Sequence, residues 1–167
     1  NIRVGIATLK DKVFFVDDSN QIENKITKKL IKINEYKKSE ELKKNKLKVI
    51  FPYFKKNQRY LPLDSTVVKK KFPKAYNYLL SQKEELSQRS KGKLNLKFFY
   101  EWGRIQSMEA LGPKLLTGTF SKGPNFLLDN TDSLFCNGYS LKVKDDCIKK
   151  FPNIEILQKI LNSIVMY

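Results

Sequence analysis

The first segment with residues suited to chemistry is 55–60, which reads K-K-N-Q-R-Y. Lysine suits phosphate, arginine suits the edge of guanine, and asparagine and glutamine suit the edge of adenine. A plain polar surface loop is the alternative interpretation. The segment supplies candidate phosphate contacts, Lys55 and Lys56, and candidate base contacts, Asn57, Gln58 and Arg59.

A second polar group surrounds the single tryptophan. Trp102 and Phe99 are expected in the core rather than in base stacking. Arg104 and Gln106 are polar residues beside this anchored aromatic, and we take them as further candidates for base contacts.

A small basic turn over residues 121–125 follows. It either lets the backbone approach phosphate or is an ordinary hairpin turn. On the first interpretation Ser121 and Lys122 contact phosphate and Asn125 contacts a base.

The net charge also indicates an anionic partner. The 167 residues contain 33 Lys and Arg against 17 Asp and Glu, which gives a formal charge of +16. Duplex DNA is a dense line of phosphates that such a surface attracts. An AT-rich genome, which raises lysine content through its codons, is the alternative source of this charge. The Lys-rich stretch 25–48 fits a solvated face equally well.

Several classes of catalysis are excluded by residues that the chain lacks. Without histidine there is no Ser-His-Asp or Cys-His nucleophile, no HNH nuclease and no His-ligated metal. There is no Gly-x-Gly, no Walker Gly-Lys-Ser/Thr, and no Pro-Pro pair of the kind that an amino methyltransferase needs. Asp17 and Asp18 ahead of Glu23 and Lys25 can be drawn as a Mg²⁺ nuclease motif, with a solvated loop as the alternative.

The cysteines and the chain ends bear on compartment and domain boundaries. Cys136 and Cys147 form no C-x-x-C motif, and a disulfide between them is the alternative to two free thiols. Two thiols in a Lys-rich chain without a signal-peptide pattern favour a reducing cytoplasm. No apolar run approaches the ~20 residues of a membrane span. The chain opens directly in strand-like sequence and ends in an apolar helix, so we expect a domain excised from a longer protein.

The pattern of strand-like and helix-like segments predicts one α+β domain over residues 1–167. A hairpin is expected over residues 2–16, with further strands over 47–53, 114–120, 125–129, 134–135 and 139–143. Residues 26–33 fit a strand or a helix, Asn137-Gly138 is a hairpin signal, and helices are expected after Pro62 and over 73–89 and 154–167. The predicted sheet is mostly antiparallel and partly barrel-like, with helices inserted between its strands.

Six segments occur in a recognisable order. They are Val4-Gly5-Ile6-x-Thr8 with Val13-Phe14, Ile50-Phe51-Pro52-Tyr53, Phe72-Pro73-Lys74-Ala75-Tyr76-x-Tyr78-Leu79 with Lys83, Leu86 and Arg89, Trp102-Gly103-Arg104-x-Gln106, Pro113-Lys114-Leu115-Leu116, and Ile160-Leu161-Asn162-Ser163. In that order and spacing, over nearly the whole chain, they resemble the TaqI-like C-terminal specificity domain of adenine-specific DNA methyltransferases of restriction–modification systems. The helix that carries Leu79, Leu86 and Arg89, followed by Trp-Gly-Arg, is the most specific part.

The resemblance implies a target-recognition-domain fold and a division of labour. A catalytic domain N-terminal to this one, in the same protein, would bind S-adenosylmethionine, so no cofactor or metal is expected in residues 1–167. The recognition domain would bind double-stranded DNA, mainly in the major groove, while the target adenine flips out. Arg89 and Lys114 join the candidate phosphate contacts. We expect a monomeric fragment and no membrane partner, and some family members carry an endonuclease in the same polypeptide.

Three alternatives stay open at this point. The first is the same kind of domain in a type I restriction specificity subunit. The second is a metal-dependent nuclease that uses Asp17 or Asp18 with Glu23 and Lys25. The third is a basic protein-interaction domain without preference for nucleic acid.

Overall fold

The computed structural model describes residues 1–109, 112–121, 123–143 and 153–163. Over these residues the fold is mixed α+β with several antiparallel sheets and without a closed barrel, so the expected barrel-like closure is absent from the described part. The chain forms two compact units. The first unit comprises Asn1–Ile6, Leu30–Asn45 and Glu109–Tyr167, and the second comprises Ala7–Lys29 and Lys46–Met108.

The elements are as follows in chain order. The strands are β1 (Ile2–Val4), β2 (Phe15–Val16), β3 (Thr27–Lys32), β4 (Lys48–Ile50), β5 (Tyr53–Lys56), β6 (Arg59–Pro62), β7 (Lys114–Gly118), β8 (Phe126–Asp129), β9 (Leu134–Cys136) and β10 (Gly138–Leu141). The helices are α1 (Asp11–Phe14), α2 (Ser65–Lys71), α3 (Pro73–Ser81), α4 (Lys83–Ser87) and α5 (Ile154–Ser163). Short 3-10 turns cover Asp18–Asn20, Asn24–Ile26, Ile33–Glu35, Ser39–Lys44 and Arg89–Gly92.

The first unit is built on an antiparallel sheet in the order β1-β10-β7-β8. Residues 30–32 of β3 add a parallel pairing with β9 in the same unit. Helix α5 is fixed to β8 by side-chain amides, since Asn162 Oδ1 accepts from the Phe126 N–H at 2.8 Å and Gln158 Nε2 donates to the Phe126 carbonyl at 2.7 Å. The core consists of Ile31, Ile33, Leu116, Leu127 and Phe135.

The second unit places β2 and residues 27–29 of β3 on either side of β4, both antiparallel. Its aromatic core centres on Trp102, whose ring meets Phe14, Phe51 and Tyr53 edge-on at centroid distances of 6.5, 5.3 and 5.6 Å. Edge-on aromatic contacts stabilise beyond the area that they bury. The prediction that Trp102 is a core residue is confirmed, whereas Phe99, also expected in the core, is half-buried.

The helices of the second unit begin where local sequence favours a helix. The Asp64 carboxylate accepts from the Thr66 N–H at 2.9 Å and caps α2. Hydrogen bonds from the Thr66 hydroxyl and then from its N–H lower the pKa of Asp64. Pro73 occupies the first turn of α3, where its missing N–H costs nothing. The helix expected over 73–89 divides at Gln82 into α3 and α4, and the turn at Arg89–Gly92 contains left-handed Ser90 and Lys91.

Two predicted hairpins are wrong. Residues 2–4 pair with β10 instead of with residues 13–16, and residues 11–14 are helical. Asn137-Gly138 joins strands that pair elsewhere, β9 with β3 and β10 with β1 and β7. Gly138 is required by close approach, because a Cβ there would lie 2.1 Å from the Thr117 carbonyl oxygen.

The remaining predictions divide between confirmed strands and corrected boundaries. Residues 26–33 are mainly strand, and strands do occupy most of 114–120, 125–129, 134–135 and 139–143. The strand expected over 47–53 is interrupted at Phe51-Pro52. The final helix is described to Ser163, and residues 164–167, like Cys147, lie outside the described residues. None of the helices in the described ranges has the length and apolar character needed to cross a membrane.

Candidate nucleic-acid interface

The segment predicted as a polar loop is a β-hairpin. Strands β5 and β6 pair with each other through the register Tyr53↔Pro62, Phe54↔Leu61, Lys55↔Tyr60 and Lys56↔Arg59. Asn57 and Gln58 form the two-residue turn with φ of 48° and 62°. Positive φ at both turn residues matches the twist of the flanking strands. We call residues 53–62 the basic ribbon.

The basic ribbon has an inner face that is anchored in the second unit. Successive strand residues point to opposite faces, so the pairs Tyr53–Pro62 and Lys55–Tyr60 share this side. Tyr53 is 6% exposed, and its phenol oxygen accepts from the Trp102 backbone N–H. Burial raises the pKa of Tyr53, which keeps the phenol neutral. Tyr60 packs edge-on against Phe51 at 5.4 Å. The ribbon therefore has a rigid base.

The outer face of the ribbon is exposed and has two layers. Phe54 and Leu61 face each other and are 42% and 39% exposed. Lys56 and Arg59 face each other next to the turn, and both are exposed. Four residues of the ribbon, Lys56, Asn57, Arg59 and Leu61, line a shallow concavity of about 480 Å³.

The electrostatics of the outer face favour an anion. Like charges directly opposite each other on paired strands destabilise a hairpin. Lys56 and Arg59 occupy such positions, and the adjoining turn contributes amide side chains rather than carboxylates. A phosphate or an electronegative base edge placed between the two cations removes the repulsion and gains charge-assisted hydrogen bonds.

Lys28 is a cation near the ribbon that sequence reasoning missed. Its Nζ lies 3.8 Å from the Phe51 ring centroid and 5.1 Å from that of Tyr60. The ammonium is thus stacked on the aromatic residues that support the inner face. The sequence did not predict this contact, because Lys28 is one of many lysines in the stretch 25–48 and nothing in its neighbours distinguishes it.

Two further predicted base contacts follow Trp102 in the same unit. Trp102 Nε1 donates to the Ile50 carbonyl at 3.1 Å, and the Gly103 N–H donates to the Thr8 carbonyl at 2.9 Å. These bonds fix the backbone just before Arg104, which is exposed, whereas Gln106 is half-buried. Trp102 packs on Tyr53, so one core residue supports both the ribbon and the start of this segment.

Arg89 is not a surface phosphate contact, which corrects the prediction. It is 4% exposed, and burial lowers the pKa of its guanidinium. The guanidinium donates to backbone carbonyls of Leu86, Thr8, Glu101 and Phe99 at 2.8, 3.4, 2.6 and 2.9 Å. It joins the end of α4 to the segment that leads to Trp102. Its position three residues after the buried Leu86, on the same side of the helical pattern, is the signal that could have revealed this role.

Lys114 is also buried, so the prediction that it contacts phosphate is wrong. It is 0% exposed and forms an ion pair with Asp129 at 2.7 Å across the β7–β8 pair of the first unit. Its Nζ also donates to the Thr131 carbonyl at 2.8 Å. A buried cation with these partners is a structural group and does not reach a ligand.

Ser121 and Asn125, two further predicted contacts in the first unit, lie between β7 and β8. Ser121 is exposed, and its hydroxyl bonds within the turn to the Gly123 backbone. Asn125 is half-buried. Lys122 lies outside the described residues.

The acidic residues of the alternative nuclease motif serve local structure. Both Glu23 carboxylate oxygens accept from α3, at 2.8 Å from the Lys74 N–H and 2.9 Å from the Ala75 N–H. Asp17 accepts from Ser19, which lowers the pKa of its carboxyl, and Asp18 pairs with Lys48. Within the described residues, no three acidic or cysteine side chains are grouped as metal ligands.

No protein-family model matches the chain, and no curated protein shows significant similarity to it. A functional conclusion therefore depends on the chain's own residues, and on the basic ribbon in particular.

Proposed function

We propose that this chain binds double-stranded DNA and reads a short sequence with the basic ribbon. The main support for this proposal is the arrangement of side chains on the outer face. Lys56 and Arg59 lie directly opposite each other, next to the exposed amide residues Asn57 and Gln58. Cations and amides side by side are the groups that bind phosphates and base edges. The net charge of +16 favours encounter with DNA.

The dimensions of the ribbon fit a major groove. That groove is about 12 Å wide and admits a two-stranded β-ribbon. Paired strands lie about 4.8 Å apart, so the ribbon fits with its outer face toward the bases. Each strand has four residues, which at about 3.3 Å per residue extend ~13 Å, or about four base-pair steps. Such a ribbon covers a short recognition site.

The contacts divide by chemistry. Lys56 binds phosphate and sets the register, whereas Asn57, Gln58 and Arg59 reach base edges. Lys55 is paired with Tyr60 on the inner face, so in this docking it points away from the bases. Arg104 and Gln106, which belong to the same unit as the ribbon, are further candidates for base contacts. Ser121, Lys122 and Asn125 belong to the first unit and are candidates from the sequence alone.

The biological setting follows from the sequence resemblance. In this proposal the chain is the target recognition domain of an adenine-specific DNA methyltransferase, in which a separate N-terminal domain binds S-adenosylmethionine and performs methyl transfer. DNA from cells that express the whole protein would then contain methylated adenine within one recurrent motif. Single-molecule sequencing reads this modification directly, and genomes without any such motif contradict the methyltransferase assignment.

DNA binding itself is tested by salt dependence. We expect duplex affinity to fall steeply with salt, and Lys56→Ala to reduce the slope of log K against log[salt] by about 0.9 on any sequence. Lys43→Ala, in the 3-10 turn Ser39–Lys44, removes the same charge from an exposed position outside the ribbon and is the matched control. Equal effects of the two variants would show a general charge effect and contradict a ribbon contact.

A further inference from the structure

The apolar layer of the basic ribbon has no role in phosphate or amide recognition. Phe54 and Leu61 are directly opposite each other and are 42% and 39% exposed. The inner-face aromatics of the same hairpin pack on Phe51 and Trp102, so the hairpin has no need of this pair for its anchoring. The pair projects on the same face as Lys56 and Arg59.

The spacing of the two layers matches the repeat of DNA. Residues two apart along a strand are about 6.8 Å apart on the same face. Along the DNA helix axis, successive phosphates of one strand are about 3.4 Å apart. The distance between the two layers therefore corresponds to about two base-pair steps. A ribbon lying along the groove therefore presents the apolar pair and the cationic pair to bases two steps apart.

Thymine offers the apolar partner that such a pair requires. In the major groove the C5 methyl of thymine is the apolar group that marks a base pair, and apolar side chains contact it. The neighbouring cations make a DNA surface a better match for this patch than an apolar protein surface, because Lys56 and Arg59 would lose water without gaining an anion there.

We propose that Phe54 and Leu61 recognise thymine through its C5 methyl group, about two base pairs from the position that Arg59 reads. This inference rests on the proposed DNA recognition and adds the chemical identity of one base. No covalent step is involved.

The experiment compares DNA with and without that methyl group. A randomised duplex pool is enriched on the protein and then amplified either with thymidine triphosphate or with deoxyuridine triphosphate. Both products contain the same sequences, and the second lacks only the methyl groups in its amplified region. We expect the uracil pool to bind about fourfold more weakly for each contacted methyl group, as measured by fluorescence anisotropy.

Two variants assign the effect to the ribbon. Phe54→Ala with Leu61→Ala should bind the thymine and uracil pools equally while still binding DNA, and Leu61→Ala alone should reduce the difference. Thermal melting of each variant checks that it folds. A thymine–uracil difference that persists in the folded double variant would overturn the assignment to these residues.

The remaining outcomes separate this inference from the proposed function. If the unmodified protein binds an enriched pool but binds its uracil version equally well, thymine recognition is wrong and DNA recognition stands. If no duplex pool binds, both are wrong.

Discussion

Replacing Gln58 with glycine should stabilise the chain and weaken its recognition of DNA. Gln58 has φ of 62°, in the left-handed region, and follows Asn57 at 48° in the turn of the basic ribbon. Asparagine adopts this region readily, but glutamine does so at a cost, and glycine is the usual second residue of such a turn. Backbone strain that is retained at an exposed turn is a feature of functional sites.

The size of the stability change follows from two opposing terms. The left-handed conformation costs a residue with a Cβ about 1–2 kcal/mol. Glycine loses about 0.5–1 kcal/mol more backbone entropy on folding than alanine does. The net gain for Gln58→Gly is therefore about 0–1.5 kcal/mol; its midpoint, about 0.75 kcal/mol, corresponds to a rise in Tm of roughly 1.5–3 °C for a chain of this size.

The effect on recognition has the opposite sign. A bidentate contact from an amide side chain to adenine contributes about 1–3 kcal/mol of discrimination, which is about 5- to 150-fold in affinity ratio. Glycine removes that contact and leaves the backbone of the turn in place. We expect binding to the preferred duplex to weaken toward the level of random duplex, with random binding unchanged.

Gln21 provides a matched control for this substitution. It is also an exposed glutamine with a left-handed φ, 53°, and it lies outside the ribbon in the same unit. Gln21→Gly should raise Tm similarly and leave DNA discrimination unchanged. Thermal melting and competition anisotropy measure the two quantities. Full discrimination in Gln58→Gly, or an equal loss in Gln21→Gly, would refute the reasoning.

Three further substitutions test the supporting structure. Glu23→Ala removes both carboxylate acceptors at the start of α3 and should cost about 1–2 kcal/mol in urea unfolding, whereas an unchanged midpoint would contradict the cap. Lysine in place of Arg89 cannot donate to the same set of carbonyls, so Arg89→Lys should lower the free energy of unfolding by at least ~2 kcal/mol. Unchanged stability with weaker DNA binding would instead indicate a phosphate contact. Burial raises the pKa of Tyr53, so the unfolded chain releases the phenol proton first and stability should fall as pH rises above ~10. Tyr53→Phe should flatten that decline, and an identical alkaline unfolding profile would contradict it.

Short sequence patterns predicted the positions of those helices and strands that depend on neighbouring residues in the chain. The Asp64 cap and Pro73 fixed the starts of α2 and α3, and apolar runs located β7 to β10. Pairing depends on residues far apart in the chain, and these rules did not predict it. Asn137-Gly138 has the sequence of a hairpin turn, yet each neighbouring strand pairs with a distant one.

The residue types in segment 55–60 predicted the candidate site, but the prediction that this segment is a loop is wrong, since it belongs to a β-hairpin. The turn Asn57-Gln58 lacks the glycine that marks a two-residue hairpin. The polar residues around it also obscure the two-residue period that separates the inner-face residues Tyr53 and Tyr60 from Phe54 on the outer face. Charge alone also could not separate surface cations from buried ones. Lys114 finds Asp129 only through strand pairing.

The most direct test of sequence-specific recognition is selection from a randomised duplex library. We expect the protein to enrich one short recurrent motif, and Asn57→Ala with Arg59→Ala to lose the preference at particular positions of it while still binding duplex DNA. Enrichment of no motif, or of the same motif by the folded double variant, would contradict recognition by the basic ribbon.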